Sequence, residues 1–295
     1  MTFLNAVDKI YTGGDFVDCI HKVENIYGGL YLERGKTKAA KDMPHIHSHN
    51  YHELYFLLSG SRQYFIGHSI FNVAPGELVI IPKNELHRTI NYHSSGYERY
   101  VLYFPDEYIK SIRESMGRAA FEKVFKSGCL QFSSAQSEKI KSLFGEMQRE
   151  LALNEPYTPL LVAGKLNEII ACTIRHGTHK LHEAEKTSSR IQKVAQYVSE
   201  NFSETITLHD AAQMAFMEDS YFSRQFKKLT GFGFVEYLTQ VRVKAAAQML
   251  ADTSHPISKI AEDCGFSGSN YFGDVFKKLY RKSPVEYRKS YQKQK

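Results

Sequence analysis

Nine residues in the last third of the chain occur twice. Residues 221–229 read Tyr-Phe-Ser-Arg-Gln-Phe-Lys-Lys-Leu and residues 271–279 read Tyr-Phe-Gly-Asp-Val-Phe-Lys-Lys-Leu, so six of nine positions agree at a separation of 50 residues. A period of this length marks a repeated supersecondary unit. Phe222, Phe226 and Leu229, and their counterparts Phe272, Phe276 and Leu279, recur at i, i+4, i+7, the spacing of one buried helix face. Upstream, Leu208, Ala211, Ala212 and Phe216 align with Ile257, Ile260, Ala261 and Gly265 at an offset of 49. The slip of one residue falls between Phe216 and Tyr221, where a turn tolerates it. Downstream, Val235-Glu236-Tyr237 matches Val285-Glu286-Tyr287. Each copy therefore reads as helix, brief turn, helix, the helix-turn-helix plan.

The ends of these helices carry their own signals. Thr207-Leu208-His209-Asp210 suits a capping box, and Ser283-Pro284-Val285-Glu286 combines an N-cap serine, a proline in the first turn and a glutamate at the third position. Pro256 also suits a first turn, where a missing N–H is harmless. Residues 235–251 are rich in Ala, Leu and Val with no Gly or Pro, and read as one stiff helix joining the two units.

These residues closely resemble the arabinose-operon regulator (AraC/XylS) family of transcription factors. The family signature is met by Ile257, Ile260-Ala261, Gly265-Phe266, Tyr271-Phe272, Phe276-Lys277-Lys278, Ser283-Pro284 and Tyr287-Arg288, and the resemblance covers roughly residues 190–290. Two positions depart from it. Arg281 stands where the family usually has glycine, and Phe216 replaces a small residue in the first turn.

The resemblance implies double-stranded DNA as the partner, with the second helix of each unit in the major groove. The outward positions that match the family's base contacts are Ser220, Ser223 and Arg224 in the first unit and Ser269, Asn270, Gly273 and Asp274 in the second. Arg224 can pair bidentately with guanine, while its plainer roles are a salt bridge within the helix or a phosphate contact. Asn270 can pair with adenine or serve as a helix N-cap. Gly273 has no side chain to read with, and Asp274 repels phosphate, so the first unit is expected to carry more of the specificity. Lys227, Lys228, Lys277 and Lys278 are expected to contact phosphates; a solvated face is their plainer reading.

Charge supports this placement. From Arg190 onward there are 16 Lys+Arg against 11 Asp+Glu, and the remainder of the chain is nearly balanced, within a total of +6. No apolar run reaches eighteen residues, so no membrane span is expected. The first residues lack the pattern of a secretory signal, and Cys19, Cys129, Cys172 and Cys264 lie far apart with no CxxC pair. Reduced thiols in a cytoplasmic protein are the expectation.

Residues 43–92 change character. Short apolar and aromatic stretches alternate with Gly and Pro, which reads as a β-barrel or sandwich. His45, His47 and His49 share one parity and would point one way from an extended strand, with Glu53 four residues on. This segment resembles the cupin barrel. His47, His49, Glu53 and Gly60 fit its first motif without a spacing error, and Gly76, Pro82, Asn84 (in a glycine place), His87 and Asn91 fit its second. The resemblance implies either a divalent transition metal on His47, His49, Glu53 and His87, or a metal-free pocket in which the same side chains bind a sugar or other metabolite. A structural histidine cluster is a third reading. Tyr55 shares the parity of Glu53 and is expected to pack in the core.

Residues 106–175 read as helical. Two stripes, one through Ile140, Leu143, Phe144 and Met147 and one through Leu161, Leu166, Ile169 and Ile170, form an αα-hairpin around Pro156 and Pro159. The family resemblance makes such a hairpin a dimerisation element; the residues alone allow a lid on the core. Residues 176–189 read as an interdomain linker. The expectation is an α+β multidomain chain: a cupin-like β-barrel over 1–105, a helical hairpin and linker over 106–185, and an all-α domain of tandem helix-turn-helix units over 186–295. Its expected function is a transcriptional regulator, more an activator than a repressor, that answers a small-molecule effector, forms a homodimer, engages RNA polymerase and requires no cofactor. The rival is a metal-dependent cupin isomerase or dioxygenase fused to a DNA-binding tail.

Overall fold

Two cores, one on each face of the larger sheet, organise the N-terminal half. The computed structural model describes residues 19–27, 29–38, 48–92, 96–180 and 186–292. Contacts divide the chain into two units, residues 1–183 and 184–295.

In the first unit the strands are β1 (Cys19–Tyr27), β2 (Leu30–Thr37), β3 (His52–Ser59), β4 (Arg62–Ile66), β5 (Ser69–Val73), β6 (Leu78–Ile81), β7 (His87–Asn91), β8 (Tyr97–Phe104), β9 (Gly128–Gln131) and β10 (Thr178–His179). They form an antiparallel seven-stranded sheet, β1-β2-β8-β3-β6-β9-β10, and a three-stranded sheet, β5-β4-β7. Period-two alternation sorts the large sheet's side chains. Tyr31, Tyr55, Leu57, Val79, Val101 and Tyr103 pack against Tyr64, Ile66, Phe71 and Val73 of the small sheet, closing a barrel-like interior. Leu32, Leu54, Phe56, Ile80, Tyr100 and Leu102 point the other way, toward helices.

Those helices are α1 (Lys110–Met116), α2 (Arg118–Val124), α3 (Ser134–Leu153) and α4 (Thr158–His176). Ser133 caps α3 by accepting from the Gln136 N–H, and Asn154 ends it in the left-handed region. The stripes of α3 and α4 meet the sheet as one core, with Tyr100 stacked on Phe144 at 5.2 Å. Leu161, placed in that stripe by spacing, is instead exposed, and Val162 takes the core position.

Residues 106–175 are not wholly helical. β9 lies among them and pairs with β6, Val79 opposite Cys129. The linker reading of 176–189 is corrected at both ends. Thr178 and His179 pair with β9, and Lys180 Nζ donates to both oxygens of the buried Glu77 carboxylate at 2.8 and 3.0 Å and to the Asn72 carbonyl at 2.7 Å. A helix, α5 (Lys186–Glu200), has already begun by residue 186. Short two-residue pairing and a single lysine leave no periodicity for sequence reading to find.

The second unit continues with α6 (Leu208–Met214), α7 (Asp219–Thr230), α8 (Phe234–Asp252), α9 (Ile257–Asp263), α10 (Ser269–Tyr280) and α11 (Pro284–Gln292). Thr207 and Asp210 form the expected capping box, as do Ser283 and Glu286, whose carboxylate accepts from the Ser283 N–H at 2.7 Å. Pro256 is the N-cap of α9, one position before the first turn. The stiff connector is α8, whose 19 residues span roughly 28 Å at 1.5 Å per residue. Phe222, Phe226, Phe272 and Phe276 are fully buried; truncating one to alanine typically costs about 3–5 kcal/mol. Leu229 and Leu279 are only half-buried, at the rim of that core.

The repeat also fixes how α7 and α10 end. Gly231 and Arg281 occupy the same place, both in the left-handed region (φ 89° and 57°), with their N–H groups donating to the carbonyls of Lys227 and Lys277. Glycine adopts this conformation without a Cβ penalty and arginine does not. Arg281→Gly is therefore expected to stabilise the second unit by about 0.5–1 kcal/mol, less the unfolded-state entropy glycine adds. Urea denaturation followed by helical signal measures it; a destabilised variant would show that the Arg281 side chain holds the turn.

Candidate functional site

The repeat places the outward faces of α7 and α10 in matching register. Their burial patterns run in parallel: Phe222 and Phe226 inside, Ser220, Arg224, Lys227 and Lys228 exposed, and likewise Phe272 and Phe276 inside, Asn270, Asp274, Lys277 and Lys278 exposed. Ser223 and Gly273 lie at the boundary, and Ser269 is exposed at the start of α10. The matching pairs are Ser220 with Asn270, Ser223 with Gly273 and Arg224 with Asp274, while Ser269 matches Asp219.

Gly268 is the N-cap of α10, so Asn270 sits inside the first turn with its side chain outward. Among the described residues Arg224 enters no ion pair, nor do Lys227, Lys228, Lys277 and Lys278. These exposed cations stay available to a polyanion. A Cβ added at Gly273 would meet nothing within 4 Å, so the middle of α10 presents open backbone.

The turn between the helices also differs between units. It spans 215–218 in the first and 264–268 in the second, which is where the extra residue lies. Phe216 takes the left-handed place of Gly265 (φ 54° against 78°) and stands 80% exposed, its ring under the Arg190 guanidinium at 5.7 Å. Tyr221 and Tyr271, half-exposed at one helical position in both units, are surface aromatics that spacing assigned no contact.

The second cluster lies inside the two-sheet barrel of the first unit. His47 falls outside the described residues, as does His45. His49, Glu53 and His87 converge: Glu53 Oε2 is 3.0 Å from His49 Nε2 and 3.3 Å from His87 Nε2, and the imidazole rings stand 5.0 Å apart edge to face. Glu53 comes from β3 in the large sheet and His87 from β7 in the small one. The loop before β7 is tied in by Asn84, which occupies the glycine place with φ 61° and donates its N–H to the His49 carbonyl at 2.7 Å.

The protonation of this cluster is constrained by its outer bonds. His49 Nδ1 lies 3.0 Å from the Tyr51 carbonyl and His87 Nδ1 lies 2.9 Å from the Glu85 carbonyl. A carbonyl only accepts, so both Nδ1 atoms carry protons and both Nε2 atoms are aimed at one carboxylate. Burial alone would raise Glu53, but the two imidazoles hold it well below the usual carboxylate range. Burial would lower His87, yet the Glu53 carboxylate beside it raises it; for His49 burial dominates and lowers it. The ligand atoms lie within 4.8 Å of one another, as metal coordination also needs.

The interior continues beyond these three residues in a way that local spacing missed. Glu33, Tyr55, Arg62, Tyr64 and Arg99 are all buried within it, and Arg99 Nη2 donates to Glu33 Oε1 at 2.6 Å. Their shared inward parity within strands was the available signal. Arginines in apolar strands read as surface residues until the second sheet is placed over them. Tyr55 is core, as expected, but core of this polar interior.

A model of the AraC-like ligand binding domain matches residues 36–170, and a model described as a helix-turn-helix domain matches residues 211–290. The chain is 32% identical over 130 residues to the uncharacterized HTH-type transcriptional regulator YijO of Escherichia coli (strain K12), covering 43% of this chain and 46% of that one. It is 26% identical over 246 residues to the Msm operon regulatory protein of Streptococcus mutans serotype c, covering 81% and 84%. It is 22% identical over 222 residues to the arabinose operon regulatory protein of Escherichia coli (strain K12), covering 74% and 73%. The match thus spans under half the length of the first of these relatives and most of the other two. No described helix is long and apolar enough to cross a membrane. With a ligand-binding domain matched over the two-sheet unit and a DNA-binding domain matched over the repeated helices, this chain belongs to the AraC family of transcriptional regulators.

Proposed function

We propose that the chain works in the cytoplasm as an effector-responsive regulator, more an activator than a repressor, and not as an enzyme. In this reading Ser220, Ser223 and Arg224 meet base edges, Lys227, Lys228, Lys277 and Lys278 meet phosphates, and Ser269, Asn270, Gly273 and Asp274 of α10 contribute little readout. One observation carries it: two recognition helices in the same register, on one rigid connector, present cations that enter no ion pair among the described residues. Such helices address successive major grooves about 34 Å apart. Footprinting on a bound promoter fragment is expected to protect two adjacent turns per DNA-binding unit. Protection of a single turn, or none that depends on sequence, rejects it.

The sensor barrel supplies the regulation, with a carbohydrate or other metabolite as effector. A ligand shifts the protein only by its preference for one arrangement over the other. The α3/α4 turn, with exposed Leu153, Tyr157 and Leu160, is the proposed seam of a homodimer, and RNA polymerase is the proposed partner at the promoter.

A specific feature favours a divalent transition ion on His49, Glu53 and His87, with His47 as a fourth donor. Both Nδ1–H groups are fixed by carbonyls, the outer-shell arrangement that orients metal-binding imidazoles. Such an ion would supply the positive charge that a proton otherwise provides. Zinc added to the chelator-stripped protein is expected to raise its melting temperature, magnesium is not, and His87→Ala removes the zinc response. No zinc response in the parent protein leaves the cluster as a hydrogen-bonded structural triad.

A further inference from the structure

The barrel interior has two chemically different ends. Glu53 pairs across the β3–β8 ladder with Tyr103, and Arg99 lies four residues along β8, roughly 13 Å away at the rise of a strand. The Arg99 end is built from guanidinium and phenol groups. Arg62 and Arg99 both sit against the Tyr97 ring, at 4.5 and 5.5 Å from its centre. Tyr55 packs edge-on against Tyr64 at 5.0 Å. Glu33 already accepts from Arg99 on one oxygen and from the Tyr31 hydroxyl on the other, at 2.6 and 2.9 Å.

Two details mark this end as made to hold something. Gly35 stands opposite Arg99 in the β2–β8 ladder, and a Cβ there would lie 2.0 Å from Arg99 Nη1. The glycine is what lets the guanidinium lie inside the barrel. The Tyr55 hydroxyl, on a side chain only 3% exposed, has no hydrogen-bond partner among the described residues. A buried polar group left unmatched is costly and points to a partner that arrives from outside the chain.

The kind of partner follows from hydrogen-bond sense. Guanidinium groups only donate, and burial keeps the Tyr55 phenol protonated, so it too has a proton to give. The wall offers donors and asks for acceptors. We propose that this end of the barrel binds the carboxylate of an organic-acid effector, with Arg62, Arg99 and Tyr55 donating to it. This assignment rests on the reading of the barrel as the effector sensor and narrows the effector to an anion. Planar guanidinium matches a carboxylate bidentately, and the short Tyr55 reach adds a third bond.

The test compares matched pairs that differ in the carboxylate: D-glucuronate against D-glucose, and acetate against acetamide, at fixed ionic strength, on the full chain by thermal melting. Glucuronate and acetate are expected to raise the melting temperature saturably, and their neutral partners to leave it unchanged. Tyr55→Phe, which keeps the ring, is expected to weaken the response several-fold, and Arg62→Met to abolish it. Equal shifts from charged and neutral partners, or a parent-like response in Tyr55→Phe, overturn the proposal. A shift from glucose alone overturns the carboxylate and keeps the sensor. No shift from any of the four also overturns it, while the footprint on DNA judges the regulator reading separately.

Discussion

Arg224→Ala is expected to lower affinity for the specific operator by roughly 5- to 150-fold, the worth of one good bidentate base contact at about 1–3 kcal/mol. Its affinity for random DNA should fall far less. The physical reason lies in the free protein. Arg224 is exposed, and among the described residues it makes no ion pair, so its removal leaves no orphaned partner and creates no cavity. The unfolding transition should therefore not move. Lys227→Ala behaves differently: it weakens specific and random DNA about equally and reduces the salt dependence by about one counterion. Asp274→Ala is expected to raise affinity for both DNAs, because it removes an anion from a face that meets phosphates. Gel shifts on operator and random duplexes at two salt concentrations separate these cases. An equal loss on both DNAs for Arg224→Ala would reassign it to the phosphates.

Glu33→Gln is expected to be the most damaging single change in the sensor unit. Glu33 is fully buried and Arg99 nearly so, at 2.6 Å. Removing one member of a buried ion pair leaves the other charged without its counter-ion, at a cost of about 3–5 kcal/mol. For a unit of this size that corresponds to a fall in melting temperature on the order of 10 °C. Glu33→Leu combined with Arg99→Met should recover most of the loss, because an apolar pair of similar volume no longer confines a charge. Scanning calorimetry of the full chain checks both, since residues 1–183 and 184–295 form separate units. The transition of the second unit should stay in place. A fall of less than about 2 °C for Glu33→Gln would show that water reaches Arg99.

These two expectations differ in how early they could be made. Arg224 was visible from spacing alone, because one helix turn determines which residues point away from Phe222 and Phe226. The capping boxes at Thr207 and Ser283 were equally local. Glu33 and Arg99 were not visible. They lie 66 residues apart and meet only because β2 and β8 are neighbours in the sheet. The same holds for β9, whose four residues look like a loop between helices until β6 is beside them. Leu161 shows the limit of periodicity within a helix: the stripe was right, but its start was set by where α4 begins, at Thr158-Pro159, and by what α3 offered as a neighbour.

The amino-acid sequence by itself determined the DNA-binding unit, its two recognition helices and the residues they expose, because helical contacts fall within four residues and the repeat states them twice. It also placed Glu53 and His87 in motifs of correct spacing. Only the tertiary structure decided that Glu53 stands between His49 and His87, and that Arg62, Arg99, Tyr55 and Glu33 share one buried interior. Alternation along a strand says which side chains point the same way. Which of them meet depends on the order of strands and on the sheet laid opposite, and those pairings join residues too far apart in the chain for any local pattern to encode.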